Sequence, residues 1–266
     1  MDTEAQHPER DRTSPSDETA GERSRSARVR GAARRGRLPI SGRTAALIGA
    51  ACAVFLLLFS HFVVQPFLIP STSMQPALQV GDRVLVNKLA YRFGEQPRRG
   101  DVVVFDGTGS FVREGPRENP VSAAARWVGS GLGLAEPSDT DFVKRVVGVG
   151  GDRVTCCGKG GRVEVNGVPV DEPYLYRGDS PSKVAFDIVV PRGALWVMGD
   201  HRAKSRDSRD HLGEPGGGMV PVDKVVGRAD WIGWPAGRWQ SLAETDAFAR
   251  VPEPDATRAH ARGGRG

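Results

Sequence analysis

Cysteine is scarce in this chain, with three among 266 residues. So few exclude a fold stapled by a disulfide framework. Cys52 lies within an apolar stretch and reads as a small hydrophobe. Cys156 and Cys157 are adjacent. Neighbouring cysteines seldom bridge one another, because the ring they close is strained, and no further ligands are spaced to build a metal site around them. Histidine is scarce too, five in all. His7 lies in the polar amino-terminal segment, His61 at the edge of the apolar stretch and His260 in a polar tail, which leaves His201 and His211 for any histidine-based catalysis. Acid is missing from residues 24–43, which hold seven arginines and no Asp or Glu. Long apolar runs are missing everywhere but in one place.

That place is 44–64, TAALIGAACAVFLLLFSHFVV, which carries no formal charge. As a helix these 21 residues span about 32 Å, enough to cross a hydrocarbon core of roughly 30 Å. A cleaved signal peptide needs a small-x-small site just beyond its apolar core. The segment 60–67 offers none, so the run is expected to stay as an anchor over 44–66. An arginine run by itself reads as a solvated arm or a nucleic-acid contact. Beside an apolar span it reads as a topology signal, and nucleic acid is not expected as a partner. The 20 residues after Val64 hold only one Arg and one Asp. The positive-inside rule therefore puts the amino terminus in the cytoplasm and the rest outside a single-pass cytoplasmic-membrane anchor. Residues 1–43, rich in Arg, Ser, Glu and Pro, cannot bury enough apolar surface to offset their ordering entropy, and are expected to be a disordered arm.

The remainder is patterned for β structure. Valine-rich segments at 83–87, 101–105, 142–149, 162–165, 168–170, 186–190, 194–198 and 225–232 are punctuated by Gly, Pro and Asp. Between two of them stands Asn166-Gly167, the pair that suits a two-residue type I′ hairpin. Residues 106–141 have little periodicity and read as a surface insertion. From 241 the chain turns polar, and 241–266 is expected to be a flexible tail.

A serine hydroxyl needs a base within hydrogen-bond reach. Where the base is lysine, its ammonium must lose a proton near working pH, which calls for an apolar setting. Lys144 has one in prospect: in a strand, Phe142, Lys144 and Val146 fall on one face. Strand position alone does not make a lysine catalytic, but a set of motifs adds weight. Ile69-Pro-Ser-Thr-Ser73-Met-Gln-Pro-Ala-Leu78 resembles the I-P-S-x-S-M-x-P-T-L nucleophile box of bacterial type I signal peptidases, with Ala77 in place of threonine. Gly81-Asp-Arg-Val-Leu-Val-Asn-Lys88 and Arg99-Gly-Asp-Val-Val-Val-Phe105 resemble the following boxes. Lys144-Arg145-Val-Val-Gly148 with Gly151-Asp152 resembles the general-base box. Gly199-Asp-His-Arg-Ala-Lys-Ser-Arg-Asp-Ser-Arg209 resembles G-D-N-R-D-N-S-x-D-S-R. The boxes occur in the family's order over roughly 65–232, after an uncleaved anchor.

The resemblance implies a mostly β fold: an antiparallel catalytic core of the signal-peptidase type over 67–240, with a smaller β cap near 151–185, preceded by one transmembrane helix. It implies Ser73 as nucleophile and Lys144 as general base, with Ser71 and the Ser73 N–H as the oxyanion hole. Ser205 would orient the lysine, and Arg145, Asp207 and Arg209 would form a structural ion-pair group. Phe67, Ile69, Met74, Leu78 and Val143 map onto the substrate pocket, although core packing accounts for apolar residues there equally well. No metal or cofactor is implied. The implied partners are membrane lipid and secreted preproteins with small residues at the first and third positions before the cut. The last box departs from the pattern at His201, Ala203 and Lys204, and loss of the acid at 203 removes a prospective partner for Arg202. Three other readings compete: a hydrolase using His201 with Asp200, a catalytically silent anchored binding domain, and the Ser/Lys self-cleaving repressors. Adjacent strand residues point apart, which disfavours the first. The intact Ser and Lys boxes disfavour the second, and the anchor disfavours the third.

Overall fold

The computed structural model describes residues 41–113, 129, 139–158, 160–242 and 244–254. The basic arm up to residue 40, most of the 106–141 insertion and the tail from 255 lie outside the described residues.

Alanine and leucine, both strong helix formers, dominate the apolar run, and it forms helix α1, Gly42–Phe62, with none of its residues buried. Among the described residues it is the one helix long and apolar enough to cross a membrane. The anchor was expected to continue to 66. Instead, only Val63 separates α1 from strand β1, Val64–Leu68. Pro66 forbids a helical continuation. The same residue is tolerated in β1 because that strand is an edge, paired with β2 (Arg83–Asn87) alone. Phe62, Val63 and Val64 carry the apolar composition across the junction, which is why the sequence hid the switch.

The main sheet also contains β3 (Val102–Asp106), β4 (Asp141–Val149), β9 (Ala194–Met198), β10 (Val220–Pro221) and β11 (Val225–Trp234). Its order is β1-β2-β11-β3-β4-β9-β10, with β12 (Gln240–Ser241) paired to β11, and every pairing is antiparallel. Strand β3 lies at the centre, and its alternating side chains feed two cores. Val102 and Val104 join Ile69, Met74, Leu78, Val84, Val86 and Ile232. Val103 and Phe105 join Val146, Leu195 and Val197, with Phe142 packed against them. The first four residues of β3, Val102 to Phe105, can therefore all be apolar, because neither face meets water there.

A second sheet, β7-β6-β5-β8, forms the cap. It comprises β5 (Arg153–Cys156), β6 (Glu164–Val165), β7 (Val168–Pro169) and β8 (Phe186–Val189). The cap thus runs past the expected limit of 185, because β8 pairs with β5 and not with the main sheet. Asn166 and Gly167 both have positive φ, 54° and 79°, at the β6–β7 hairpin, as a type I′ turn requires. Cys156 and Cys157 are bonded to each other where the chain leaves β5, against the expectation for neighbours.

The expected tail from 241 is also corrected in part. Phe248 and Val251 are buried in the cap-side core. Arg99 clasps Asp152 through Nε and Nη2, both at 2.7 Å, and also donates to Pro252 O at 3.0 Å. Asn166 Nδ2 donates to the same carbonyl. Residues 244–254 are polar in composition, but two apolar side chains and shared backbone acceptors fix them.

Candidate active site

The turn after β1 is built before it is functional. The Ile69 N–H donates to Asp82 O and the Gly81 N–H to Ile69 O, closing the loop that carries residues 70–80. Asp82, buried at the foot of the loop, accepts from Gln79 N at 2.8 Å and from Arg238 Nε at 2.8 Å. Ile69, Met74 and Leu78 turn into the core. That packing leaves Ser73 at the rim, only 6% exposed.

Lys144 reaches the same point from the middle of β4. Its Nζ donates to Ser73 Oγ at 2.9 Å and to Val143 O at 3.1 Å. Among the described residues no carboxylate hydrogen-bonds the amine. Burial pushes its pKa down to about 8, against the weaker pull of the Asp207, Asp200 and Asp210 charges. Ser71 Oγ lies 3.2 Å from Ser73 Oγ, on the exposed side of the turn. The arrangement puts a hydroxyl against an amine that gives up its proton in the mildly alkaline range, which is what proton abstraction from serine requires.

The turn 199–209 closes the site from behind. The His201 N–H donates to Ser73 O at 3.0 Å and ties that backbone to the turn. A Cβ placed on Gly199 would lie 2.2 Å from Ser205 Oγ and 2.5 Å from Ser73 O, so only glycine lets the two serines converge here. Ser205 is buried, but its Oγ has no hydrogen-bond partner among the described residues. The structure thus brings Ser205 beside the Ser73 turn without a bond to the lysine.

Within the implied ion-pair group, Asp207 and Arg209 pair with each other, whereas Arg145 pairs with Asp200. Its Nε and Nη2 grip Asp200 at 2.8 and 2.6 Å, and its Nη1 donates to Gly100 O. Asp207 is held by Arg209 Nε and Nη2, both at 2.8 Å, and by the Gly199 N–H. Burial opposes its ionisation, yet the Arg209 contacts outweigh that and keep the carboxyl below its usual range. Arg202 is not orphaned by Ala203, because Glu172 of the cap segment accepts from its Nη1 and Nη2. Asp200, Glu172 and Tyr174, whose ring lies 4.3 Å beneath the Arg145 guanidinium, were missed as site residues. Asp200 stands in a quoted motif and was weighed only as a histidine partner. Glu172 stands far along the chain from Arg202, and nothing local in the sequence links the two.

With Asp200 committed to Arg145, the His201–Asp200 alternative is not assembled. The His201 ring instead stacks on Tyr176, with centroids 3.9 Å apart, and its Nδ1 lies 3.3 Å from Thr72 O. His211 stacks on Phe111 at 4.4 Å. The pocket residues Phe67, Ile69, Met74, Leu78 and Val143 do meet in one apolar cluster. Ile69, Met74 and Leu78 are nearly fully buried there, whereas Phe67 and Val143 stay half-buried. A broad surface cleft lined by Arg99, Arg153, Asn166 and Arg192 lies elsewhere, and neither Ser73 nor Lys144 borders it.

Residues 42–234 match the family described as signal peptidase, peptidase S26. This chain belongs to that family. It is a serine endopeptidase of the signal peptidase I type. Signal peptidase I of Mycobacterium tuberculosis is 40% identical over 223 residues, covering 74% of this chain and 74% of its own length. Signal peptidase I of Leptolyngbya laminosa is 34% identical, covering 70% of this chain and 77% of its own length. Signal peptidase I T of Bacillus subtilis is 30% identical, covering 67% and 78%. The mostly antiparallel β architecture behind one apolar helix is the fold that membership leads one to expect.

Proposed function

We propose that this peptidase removes signal peptides from exported preproteins at the outer face of the cytoplasmic membrane, by acyl transfer through Ser73 and Lys144. One observation carries the reading: a buried lysine amine, with its pKa brought down to about 8, lies 2.9 Å from a serine hydroxyl. Neutral Lys144 takes the Ser73 proton as Oγ bonds to the scissile carbonyl carbon. The resulting ammonium protonates the leaving amine as the C–N bond breaks. Water then attacks the ester, gives its proton to the lysine, and Ser73 regains one as the acid product leaves. The Ser71 hydroxyl and the Ser73 N–H are assigned to the developing oxyanion, where preorganised donors supply several kcal/mol. Ser205, packed against Gly199 beside the Ser73 turn, is assigned to orienting the lysine amine. Arg145, Asp207 and Arg209 serve as buried supports.

The substrate pocket is assigned to Phe67, Ile69, Met74, Leu78 and Val143, apolar and shallow enough to favour alanine at the first and third positions before the cut. No cofactor is invoked. Lipid contact is assigned to the sheet end near β1 and β11. Leu68 and Trp234 both pair with Arg83 there, and Trp231, Trp234 and Trp239 are about half exposed or more, at 47, 57 and 68%. Trp is the residue that settles at a membrane–water boundary.

The test is cleavage of a model preprotein by the purified chain in vesicles. Ser73→Ala and Lys144→Ala are expected to yield no mature product while His201→Ala still cleaves. Activity in Lys144→Ala with none in His201→Ala would reverse the assignment of the base. A bulky residue placed just before the cut is expected to block processing, and efficient cleavage there would remove the proposed specificity. Protease added to spheroplasts is expected to digest a tag after Gly266 and spare one before Asp2. The opposite pattern would put the site in the wrong compartment.

A further inference from the structure

Arg202 sits in the turn that closes the site, with its guanidinium sunk to 2% side-chain exposure. A buried guanidinium demands a carboxylate, because an unpaired charge is expensive in a low-dielectric setting. The turn's own sequence supplies none within reach: Asp200 is taken by Arg145 and Asp207 by Arg209. The carboxylate comes from Glu172, which is equally buried and belongs to the segment following the cap hairpin. Glu172 Oε2 accepts from Arg202 Nη1 at 3.1 Å, and its Oε1 accepts from Arg202 Nη2 and from the Tyr174 hydroxyl at 3.0 Å.

Each of those two donors leads to the reacting pair by a short physical path. Arg202 Nε donates to Gly199 O at 3.0 Å, and Gly199 is the residue against which Ser73 O and Ser205 pack. The Arg202 carbonyl is in turn held by Arg209 Nη2 at 3.0 Å. Tyr174 lies under Arg145, the neighbour of Lys144 on β4. Burial, then the Glu172 charge, pushes the Tyr174 phenol well above its ordinary range, so it remains a donor to Glu172.

We infer that Glu172 is a positioning residue for the peptidase reaction: through Arg202 and Gly199 it sets the turn that backs Ser73, and through Tyr174 it steadies the strand that carries Lys144. The inference rests on the Ser73–Lys144 reading. Glu172 touches no reacting atom. It supplies from the cap an acid that Ala203 in the turn does not.

The test is steady-state kinetics on the full chain in vesicles with a model preprotein, for Glu172→Gln, Arg202→Gln and the double variant, with Ser73→Ala alongside. Small displacements of a reacting geometry cost up to about 100-fold in rate. Glu172→Gln is therefore expected to lower kcat by about 10- to 100-fold and to change KM by less than about threefold, with its thermal unfolding still above the assay temperature. The double variant is expected to be no slower than Arg202→Gln, since the two act in series. A kcat for Glu172→Gln within about twofold of the parent, or losses that multiply in the double variant, overturns the inference. If Glu172→Gln does not stay folded, the double variant, which buries no unpaired charge, is compared with Arg202→Gln alone: equal kcat supports series action and a further loss overturns it. Turnover retained by Ser73→Ala would overturn the underlying reading. A dead Ser73→Ala beside an unaffected Glu172→Gln would overturn this inference only.

Discussion

Lys144 and Arg145 are neighbours on β4, and each is 4% exposed. One faces a hydroxyl and a backbone carbonyl; the other is gripped by a carboxylate through two parallel hydrogen bonds. Burial acts on both in the same direction, against the cation. At Lys144 it prevails, and the amine titrates near 8. At Arg145 burial is again the largest influence, but Asp200 overcomes it and the guanidinium stays charged with its pKa raised. Desolvation alone therefore makes neither a base nor a brace. What decides is whether a counter-charge stands within hydrogen-bond distance. Behind Lys144 the ion pairs Arg145–Asp200, Arg209–Asp207 and Arg202–Glu172 each satisfy themselves. They form a rigid floor that lends the lysine only distant charge.

The contrast can be broken most sharply at the reacting pair. Ser73→Ala and Lys144→Ala are each expected to lower kcat by on the order of 10⁴-fold or more, and the double variant should be no worse than either single, because the two residues act as a unit. Single-turnover cleavage of a preprotein measures this. On the paired side, Asp200→Ala leaves a buried guanidinium unmatched and is expected to destabilise the fold by about 3–5 kcal/mol, read from denaturant unfolding.

The unpaired side should respond with the opposite sign. The folded pKa of Lys144, about 8, lies below the ordinary 10.5, so holding the ammonium in the fold costs roughly 3 kcal/mol. That cost is complete below about pH 8, fades between 8 and 10.5, and is gone above. Lys144→Met is accordingly expected to stabilise the protein near neutral pH and to bring little at pH 10.5, as unfolding curves at the two pH values will report. The smallest effect is electrostatic. Activity is expected to rise through a single ionisation near pH 8. Asp210→Asn removes one of the charges that favour the ammonium, and being exposed it spares the core, so the acid limb is expected to move to lower pH. An acid limb that rises instead would mean that another group sets it.

Much of this was legible in the sequence, for reasons that can be named. The 194–198 strand was read to the residue because its apolar run has turn residues on both sides. The Asn166-Gly167 hairpin was legible because positive φ at successive positions admits few residue pairs. Ser73 and Lys144 were legible through their motifs, and the structure brings them into contact. Strand β5 escaped because Arg153-Val-Thr-Cys156 is short and only half apolar. The partners of Arg145 and Arg202 escaped for a different reason. A charge pair is a statement about the folded chain, and Glu172 and Asp200 carry no local pattern that says which guanidinium each will meet.

The junction between α1 and β1 has a consequence for how far this enzyme can reach. With Val63 as the whole connection, there is no slack between the helix and the edge strand. A strand of five residues covers about 17 Å, and the Ser73 turn follows directly. Whatever depth the helix adopts in a bilayer, the distance from its end to Ser73 is then set like a mark on a gauge. A peptide bond of the right chemistry held nearer the lipid, or farther into the water, would miss the blade. A flexible insertion at Val63 is expected to loosen the gauge and let cutting positions spread along the substrate.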